Sequence, residues 1–470
     1  MILLLLLPII LMFLVSFSKS KKANIFLSII SISILFPIVK LFMINKPYHL
    51  AGDYLIADKL NTFILLVSSI VAIGVTLSLT TLKKHVMVSP KSYRRFYRFF
   101  STFWLGLILS ILSNNMGIYW IGLEMATLST VYMIKTNFTS FASKEAWNYM
   151  IVGTIAISLI LFGIILIYAS AKPILGEEAM NFDLLLKTAS QIKSPFLFEI
   201  GFAIVSIGMF VKMGFFPMNL WLANIERASY YPVAALFSGI LESAVMIGFF
   251  RFSQIAKIIN YDHLFIFISI YMSLTIFIVS FLIYRAKDFM RLFSLSGIEH
   301  MALIAFFWVS GGIYAALLHF ASHAFLKPAL FLSTGILESK GKYKIAGALK
   351  GYSGKSGIFF KIMVSLFLLA IISLPPSPMF FSELYGFGAM MNFAKNSDHF
   401  LAMIFAIFVV LLLLSIIFYR FVSIYQSMKY EGEVSEKKVY VADLLALAVL
   451  GISLITLLLP FTTDYLKGIL

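Results

Sequence analysis

Residues 312–336 read GIYAALLHFASHAFLKPALFLSTGI, a stretch without a single acid that is long enough, as a helix, to cross the roughly 30 Å hydrocarbon core of a bilayer. Three basic side chains interrupt it, and they do so with a period. His319, His323 and Lys327 fall on every fourth residue, so on a helix they stack along one face as a ladder roughly 12 Å long. A ladder of titratable groups suits proton hopping, although histidines that merely hydrogen-bond to neighbouring helices would give the same spacing. A metal site is not expected here: two imidazoles one turn apart have no nearby carboxylate or thiolate, and there is no HExxH pattern.

The rest of the chain has the same character. Its 470 residues are 61% hydrophobic and 12% charged with mean hydropathy +0.97, against the quarter or so of charged residues usual in a soluble enzyme. Apolar runs fall near 1–17, 24–44, 60–82, 97–112, 116–134, 146–169, 196–222, 231–256, 263–284, 289–310, 312–336, 358–393, 399–426 and 439–463. The expected fold is therefore all-α and polytopic, with about 14 transmembrane helices. Two boundaries are thin, Ser113-Asn114-Asn115 and Gly311-Gly312. With no cysteine, the chain has no thiolate for iron–sulfur or structural zinc ligation, so no cofactor is expected and any electrons belong to another subunit.

A net charge of +16 could suggest nucleic acid, but the basic residues sit in short loops and act as a topology signal. Of the 37, 25 lie in loops that follow odd-numbered spans and 10 on the other side, the remaining two being Lys212 and Lys327. The odd loops are then cytoplasmic and both termini external, with no nucleic-acid partner. Arg251, at the end of the eighth span, reads as an interfacial anchor.

Glu124, Lys212, Glu242, His319, His323, Lys327 and Glu383 all lie within apolar runs. At about 3 kcal/mol for each charge placed in lipid, they would together offset the 5 to 15 kcal/mol by which proteins are stable. They must be paired or hydrated, and they form the candidate proton pathway. Lys212 lies five residues before Pro217, and Glu383 five residues after Pro378 in the run Pro375-Pro376-Ser377-Pro378. Proline removes a backbone hydrogen bond, so the seventh and twelfth helices break there, and paired breaks in two halves point to a transport route. Five spans apart, they suggest two repeats in opposite orientation. The divisions expected are an N-terminal three-helix segment (1–96), a first repeat (97–258), an inverted second repeat (259–428) and a last helix (429–470).

The motifs Trp120-Ile-Gly-Leu-Glu124-Met-Ala-Thr-Leu, Lys212-Met-Gly-Phe-Phe-Pro217-Met-Asn-Leu-Trp221-Leu and Pro232-Val-Ala-Ala-Leu-Phe-Ser-Gly239-Ile-Leu occur in order. Together with Ile298-Glu299-His300-Met301, the His319 to Lys327 ladder and Pro375 to Glu383, they resemble the antiporter-like membrane subunits shared by respiratory complex I, Mrp-type sodium/proton antiporters and group 4 membrane hydrogenases. The second half is most similar to hydrogenase-4 component F of formate hydrogenlyase-type complexes. The resemblance implies fourteen helices in two inverted five-helix repeats, an ion pair of Glu124 with Lys212, a connecting axis through His319, His323 and Lys327, and Glu383 as the terminal acid. Ser243, Glu299 and His300 are candidate supporting groups. Complex I-like members often carry a lysine shortly after the glycine matching Gly239; here the segment reads Gly239-Ile-Leu-Glu242-Ser243, which favours the hydrogenase branch.

The function expected is that of a proton-translocating subunit in the inner membrane, without redox chemistry of its own. It would assemble with other membrane subunits and a hydrophilic redox arm on the cytoplasmic side. Open alternatives are a complex I-type NADH-quinone oxidoreductase subunit, an autonomous Mrp-like cation/proton antiporter and a bicarbonate-uptake membrane subunit.

Overall fold

Apolar runs this long must satisfy their backbone internally in a membrane, and helices do so. The computed structural model describes residues 2–18, 23–43, 47–85, 90–134, 139–192, 194–259, 261–337, 348–350, 352, 354–397, 399–430 and 439–469. Helices α1 (Ile2–Val15), α2 (Ala23–Ser33) and α3 (Leu35–Phe42) precede a hairpin of β1 (Tyr48–Leu50) and β2 (Leu55–Ala57). Then come α4 (Lys59–His85), α5 (Pro90–Ile111), α6 (Met116–Ile134), α7 (Ser140–Leu175), α8 (Phe182–Thr188), α9 (Pro195–Lys212) and α10 (Asn219–Ala228). α11 (Tyr231–Leu236) runs through a π-helical turn, Phe237–Leu241, into α12 (Glu242–Ile258). The chain continues through α13 (Asp262–Tyr284), α14 (Phe289–Val309), α15 (Ile313–Leu337), α16 (Gly354–Ile371), α17 (Pro378–Lys395), α18 (Phe400–Tyr430), α19 (Val441–Thr456) and α20 (Pro460–Lys467).

Among the described residues, nine helices are long and apolar enough to cross a membrane, and α19 with α20, bent by 66°, makes ten if taken as one span. The chain is thus a nearly all-helical, multi-pass membrane protein. The other four of the fourteen apolar stretches are helical but fall outside that count. α1, and α2 with α3, are short; α5 carries Arg94, Arg95 and Arg98; α6 carries Glu124, Thr127, Ser129 and Thr130. The expectation of a purely α fold needs one correction, the antiparallel hairpin that pairs Tyr48 with Ala57. Its strands of three residues are too short to show alternation, and its turn is made by Ala51, Gly52 and Asp53, all at positive φ.

The helices form two units. The first comprises Met1–Ser69, Pro90–Gly214 and Leu241–Phe265, and the second Ile70–Ser89, Phe215–Ile240 and Ile266–Leu470. In the first unit, α5 packs on α6, α7 on α9, and α12 on α5 and α9. The α5–α6 approach is close enough to require glycine: a Cβ on Gly122 would lie 2.5 Å from Ser110 N, and one on Gly106 2.6 Å from Ala126 N. The thin boundary Ser113-Asn114-Asn115 is a true break between these two helices. Ile56 N donates to Leu112 O (2.7 Å) and Asn114 N to Tyr54 O (2.9 Å), so the hairpin is docked there. Arg251 is more than a lipid anchor, since its guanidinium holds Asp58 and, at 2.9 Å, Asn61 Oδ1.

In the second unit α15 is central, packing on α11, α14, α16, α17 and α19, and every residue from Ala315 to Leu337 is buried. The other thin boundary, Gly311-Gly312, separates α14 from α15 through Gly311 at φ +82°. Both proline-marked breaks are present. α9 ends at Lys212 and α10 starts only at Asn219, with Gly214 at φ +70° and a cis bond at Phe216–Pro217. α16 ends at Ile371 and α17 starts at Pro378, with a cis bond at Pro375–Pro376 and the Ser377 side chain capping α17 by accepting from Phe380 N.

Candidate functional site

Each unit buries its own polar cluster. In the first, the Pro217 break places Lys212 at the C-terminal end of α9, where unsatisfied carbonyls favour a cation. Its side chain is buried, 4% exposed. Nζ donates to Thr127 Oγ1 at 2.5 Å, while Thr127 Oγ1 gives its own hydrogen to Leu123 O at 2.7 Å. The ring of Tyr149 lies 5.2 Å from the ammonium, and Gly153 leaves it room, since a Cβ there would stand 3.5 Å away. Thr130 Oγ1 donates to Thr127 O and therefore accepts from the Tyr149 hydroxyl, 3.0 Å away.

Glu124, one turn before Thr127 on α6, acts electrostatically on Lys212. No ion pair within 4 Å joins the two; Glu124 is partly exposed, with Oε2 buried and not hydrogen-bonded. In place of the expected ion pair, the structure holds Lys212 by the Thr127 hydroxyl, one turn along α6 from Glu124. Glu242 and Ser243 open α12 directly after the π-helical turn, both buried, on the helix that packs against α9.

The second unit holds the ladder, and here the fold alters the expectation of a path along one helix. His319 Nε2 faces His300 Nδ1 of α14 at 3.1 Å, and His319 Nδ1 faces Ser382 Oγ of α17 at 2.8 Å. Ser382 gives its only hydrogen to Met379 O at 2.6 Å. The hydroxyl must therefore accept from His319 Nδ1–H, which leaves Nε2 to accept from His300 Nδ1–H. The bonds run sideways across three helices. His323, one turn on, has its ring centre 5.9 Å from that of His300. Lys327 donates to Phe293 O at 2.8 Å.

Two acids complete the cluster. Glu299 Oε2 lies 3.7 Å from His300 Nε2. Glu383 Oε1 accepts from Ser373 Oγ at 2.5 Å, and Ser373 is held at φ +56° by the break before α17. Sequence reasoning missed Thr127, Tyr149, Ser373, Ser382 and Glu226. The last is a buried acid on α10 whose polar neighbours are Ser294 and Lys327. Its one signal was an acid next to Arg227 just past a proline break, and that segment reads as a loop.

A multi-pass helical protein with broken helices, a buried lysine and a buried histidine–acid cluster belongs to the class of antiporter-like membrane subunits. Residues 113–432 match the transmembrane family described as NADH:quinone oxidoreductase/Mrp antiporter, and the chain belongs to that family. It is 32% identical to a hydrogenase-4 component F homolog of Methylacidiphilum infernorum, over 71% of each chain. With NADH-quinone oxidoreductase subunit N 1 of Aquifex aeolicus it shares 25% identity over 93% of this chain and 91% of the other. In fold it matches a chain of the archaeal membrane-bound sulfane sulfur reductase (TM-score 0.82, 22% identity, 99% of this chain and 96% of that one). It also matches a chain of the Mrp complex of Dietzia sp. (TM-score 0.82, 14% identity, 99% and 95%). These relatives and neighbours are subunits of multisubunit complexes.

Proposed function

We propose that the chain is a proton-translocating subunit of a group 4 membrane hydrogenase of the hydrogenase-4 type, seated in the cytoplasmic membrane beside other membrane subunits and a cytoplasmic redox arm. Identity to the hydrogenase-4 component F homolog supports the branch. The observation that carries the transport role is Lys212, a buried ammonium held by one hydroxyl with a carboxylate acting on it. Moving Glu124, or moving charge in a neighbouring subunit, would switch Lys212 between holding and releasing its proton. Glu242 and Ser243 take part in the first unit, and His300, His319, His323, Lys327, Glu299 and Glu383 in the second. The redox chemistry belongs to partner subunits.

We also propose the finer architecture: fourteen spans, repeats at 97–258 and 259–428 in opposite orientation, flanking segments 1–96 and 429–470, and external termini. A second reading, a subunit of an NADH-quinone oxidoreductase, draws on the subunit N relative, which aligns over 93% of the chain. Copurification separates the two, through nickel–iron hydrogenase subunits or quinone-reductase subunits. Proton uptake by the purified complex in liposomes tests the transport role. Lys212→Met and Glu124→Gln should each abolish uptake in a fully assembled complex, with losses that do not add. Normal pumping by Lys212→Met overturns the reading.

A further inference from the structure

The fold delivers to the histidines the carboxylate their own helix lacks. One ligand atom each from His300, His319 and Glu383 lies within 4.8 Å of the other two. We propose that these three side chains bind a divalent transition-metal ion of the zinc class, and that its binding blocks proton movement through the second unit. The blocking clause rests on the proton-transfer reading above, whereas the binding clause does not.

Ligand atoms about 2.0–2.2 Å from a tetrahedral ion stand roughly 3.3 Å apart. His300 Nδ1 and His319 Nε2 are already 3.1 Å apart, so the closure left to make is with the Glu383 carboxylate, which has an oxygen within 4.8 Å of a nitrogen of each ring. Both rings are supported as ligands need to be. Ser382 takes the hydrogen of His319 Nδ1 and leaves Nε2 as a lone pair aimed at the site. For His300 to ligate, its hydrogen shifts from Nδ1 to Nε2, where Glu299 Oε2 waits 3.7 Å away. A carboxylate behind a ligating imidazole is the usual device that fixes such a ring. The shift is internal to the ring, so the metal takes the place of the proton between the two imidazoles.

The donor set selects the ion. Two imidazole nitrogens and one carboxylate suit zinc, nickel or copper, whereas sodium, magnesium and calcium want oxygen. The site therefore does not fit a transported alkali cation. Glu383 is the one ligand with partial exposure; His300 and His319 are buried.

The test is zinc binding to the purified complex after chelator treatment, measured by elemental analysis and zinc-edge X-ray absorption. The parent should hold one zinc with a nitrogen and oxygen shell near 2.0 Å. His300→Gln and His319→Gln should each lose it, and Glu383→Gln should weaken it at least 10-fold. His323→Gln should bind as the parent does. Should a histidine variant fail to assemble, Glu383→Gln, at the partly exposed end, still decides the matter. A parent without zinc, or an unchanged zinc shell in Glu383→Gln and the histidine variants, overturns the binding clause. In liposomes, micromolar zinc should abolish proton uptake. Zinc bound with uptake unchanged overturns the blocking clause, and the Lys212→Met variant in the same preparation tells that result apart from failure of the proton reading.

Discussion

At the scale of single residues, Thr127 has the most to say about how Lys212 works. A charge-assisted hydrogen bond contributes about 1.5–3 kcal/mol when the charge is buried, and among the described residues this hydroxyl is the one hydrogen-bond acceptor of the Lys212 ammonium. Thr127→Val keeps shape and removes the bond, so proton uptake in liposomes should fall roughly 10- to 100-fold; Thr127→Ser should retain most of it. Full activity in the valine variant would mean that Glu124 alone holds the ammonium. Glu124 and Lys212 were legible in the sequence because charges are costly in an apolar run. Thr127 was not, because a hydroxyl on a helix is usually satisfied by the carbonyl four residues back, as this one also is. Ser382 was silent for the same reason, and its role emerges only when His319 arrives from another helix.

At the scale of elements, the breaks at Pro217 and Pro375–Pro378 could be read directly, since proline's effect is local. The hairpin could not, because its placement depends on Leu112 and Asn114, far along the chain. The same dependence on partners governs helix contacts. Gly122→Val would push its side chain into the α5 backbone at Ser110, and overpacking of this kind costs about 1–3 kcal/mol. The variant should lose its monodisperse detergent-solubilised form at a lower temperature than the parent. Gly388→Ala, on α17 with nothing within 4 Å of its added Cβ, is the matching control and should behave as the parent. Equal melting of the two would show that the α5–α6 approach is not limiting.

At the scale of the whole molecule, the basic-residue asymmetry predicts a face for each loop, and within each unit polar contacts join residues expected on the same face. In the second unit, Arg227 at the end of α10 meets Asp288 (3.4 Å), and Arg420 on α18 donates to Ala286 O (2.9 Å). In the first, Arg251 holds Asp58, and Asn114 donates to Asp183 Oδ1 (2.8 Å), all at positions that the asymmetry expects outside. Lys19, Lys21, Lys22, Lys340, Lys342 and Lys344, which weigh heavily in the asymmetry, lie outside the described residues. Which face is cytoplasmic is therefore a matter for labelling. In this cysteine-free chain, cysteine at exposed Ser194 should react with an impermeant maleimide in intact cells, and cysteine at exposed Ser356 only after permeabilisation. The reverse pattern would invert the assignment and place both termini inside.

The hydrogen-bond sequence from His300 through His319 to Ser382 has a direction at rest, because each hydrogen points the same way and the last is committed to Met379 O. A proton passed from His300 to His319 would leave both rings facing backwards, and no second proton could follow until they had turned again; the row stops beyond them, because Met379 O is a peptide carbonyl that hands no proton on. His319 stands edge-on to Phe307, 5.6 Å between ring centres, in a fully buried setting that resists such turning. If the second unit carries protons as proposed, the two rings would pass them intermittently, and the pause between protons would belong to reorientation of the rings rather than to the transfer itself.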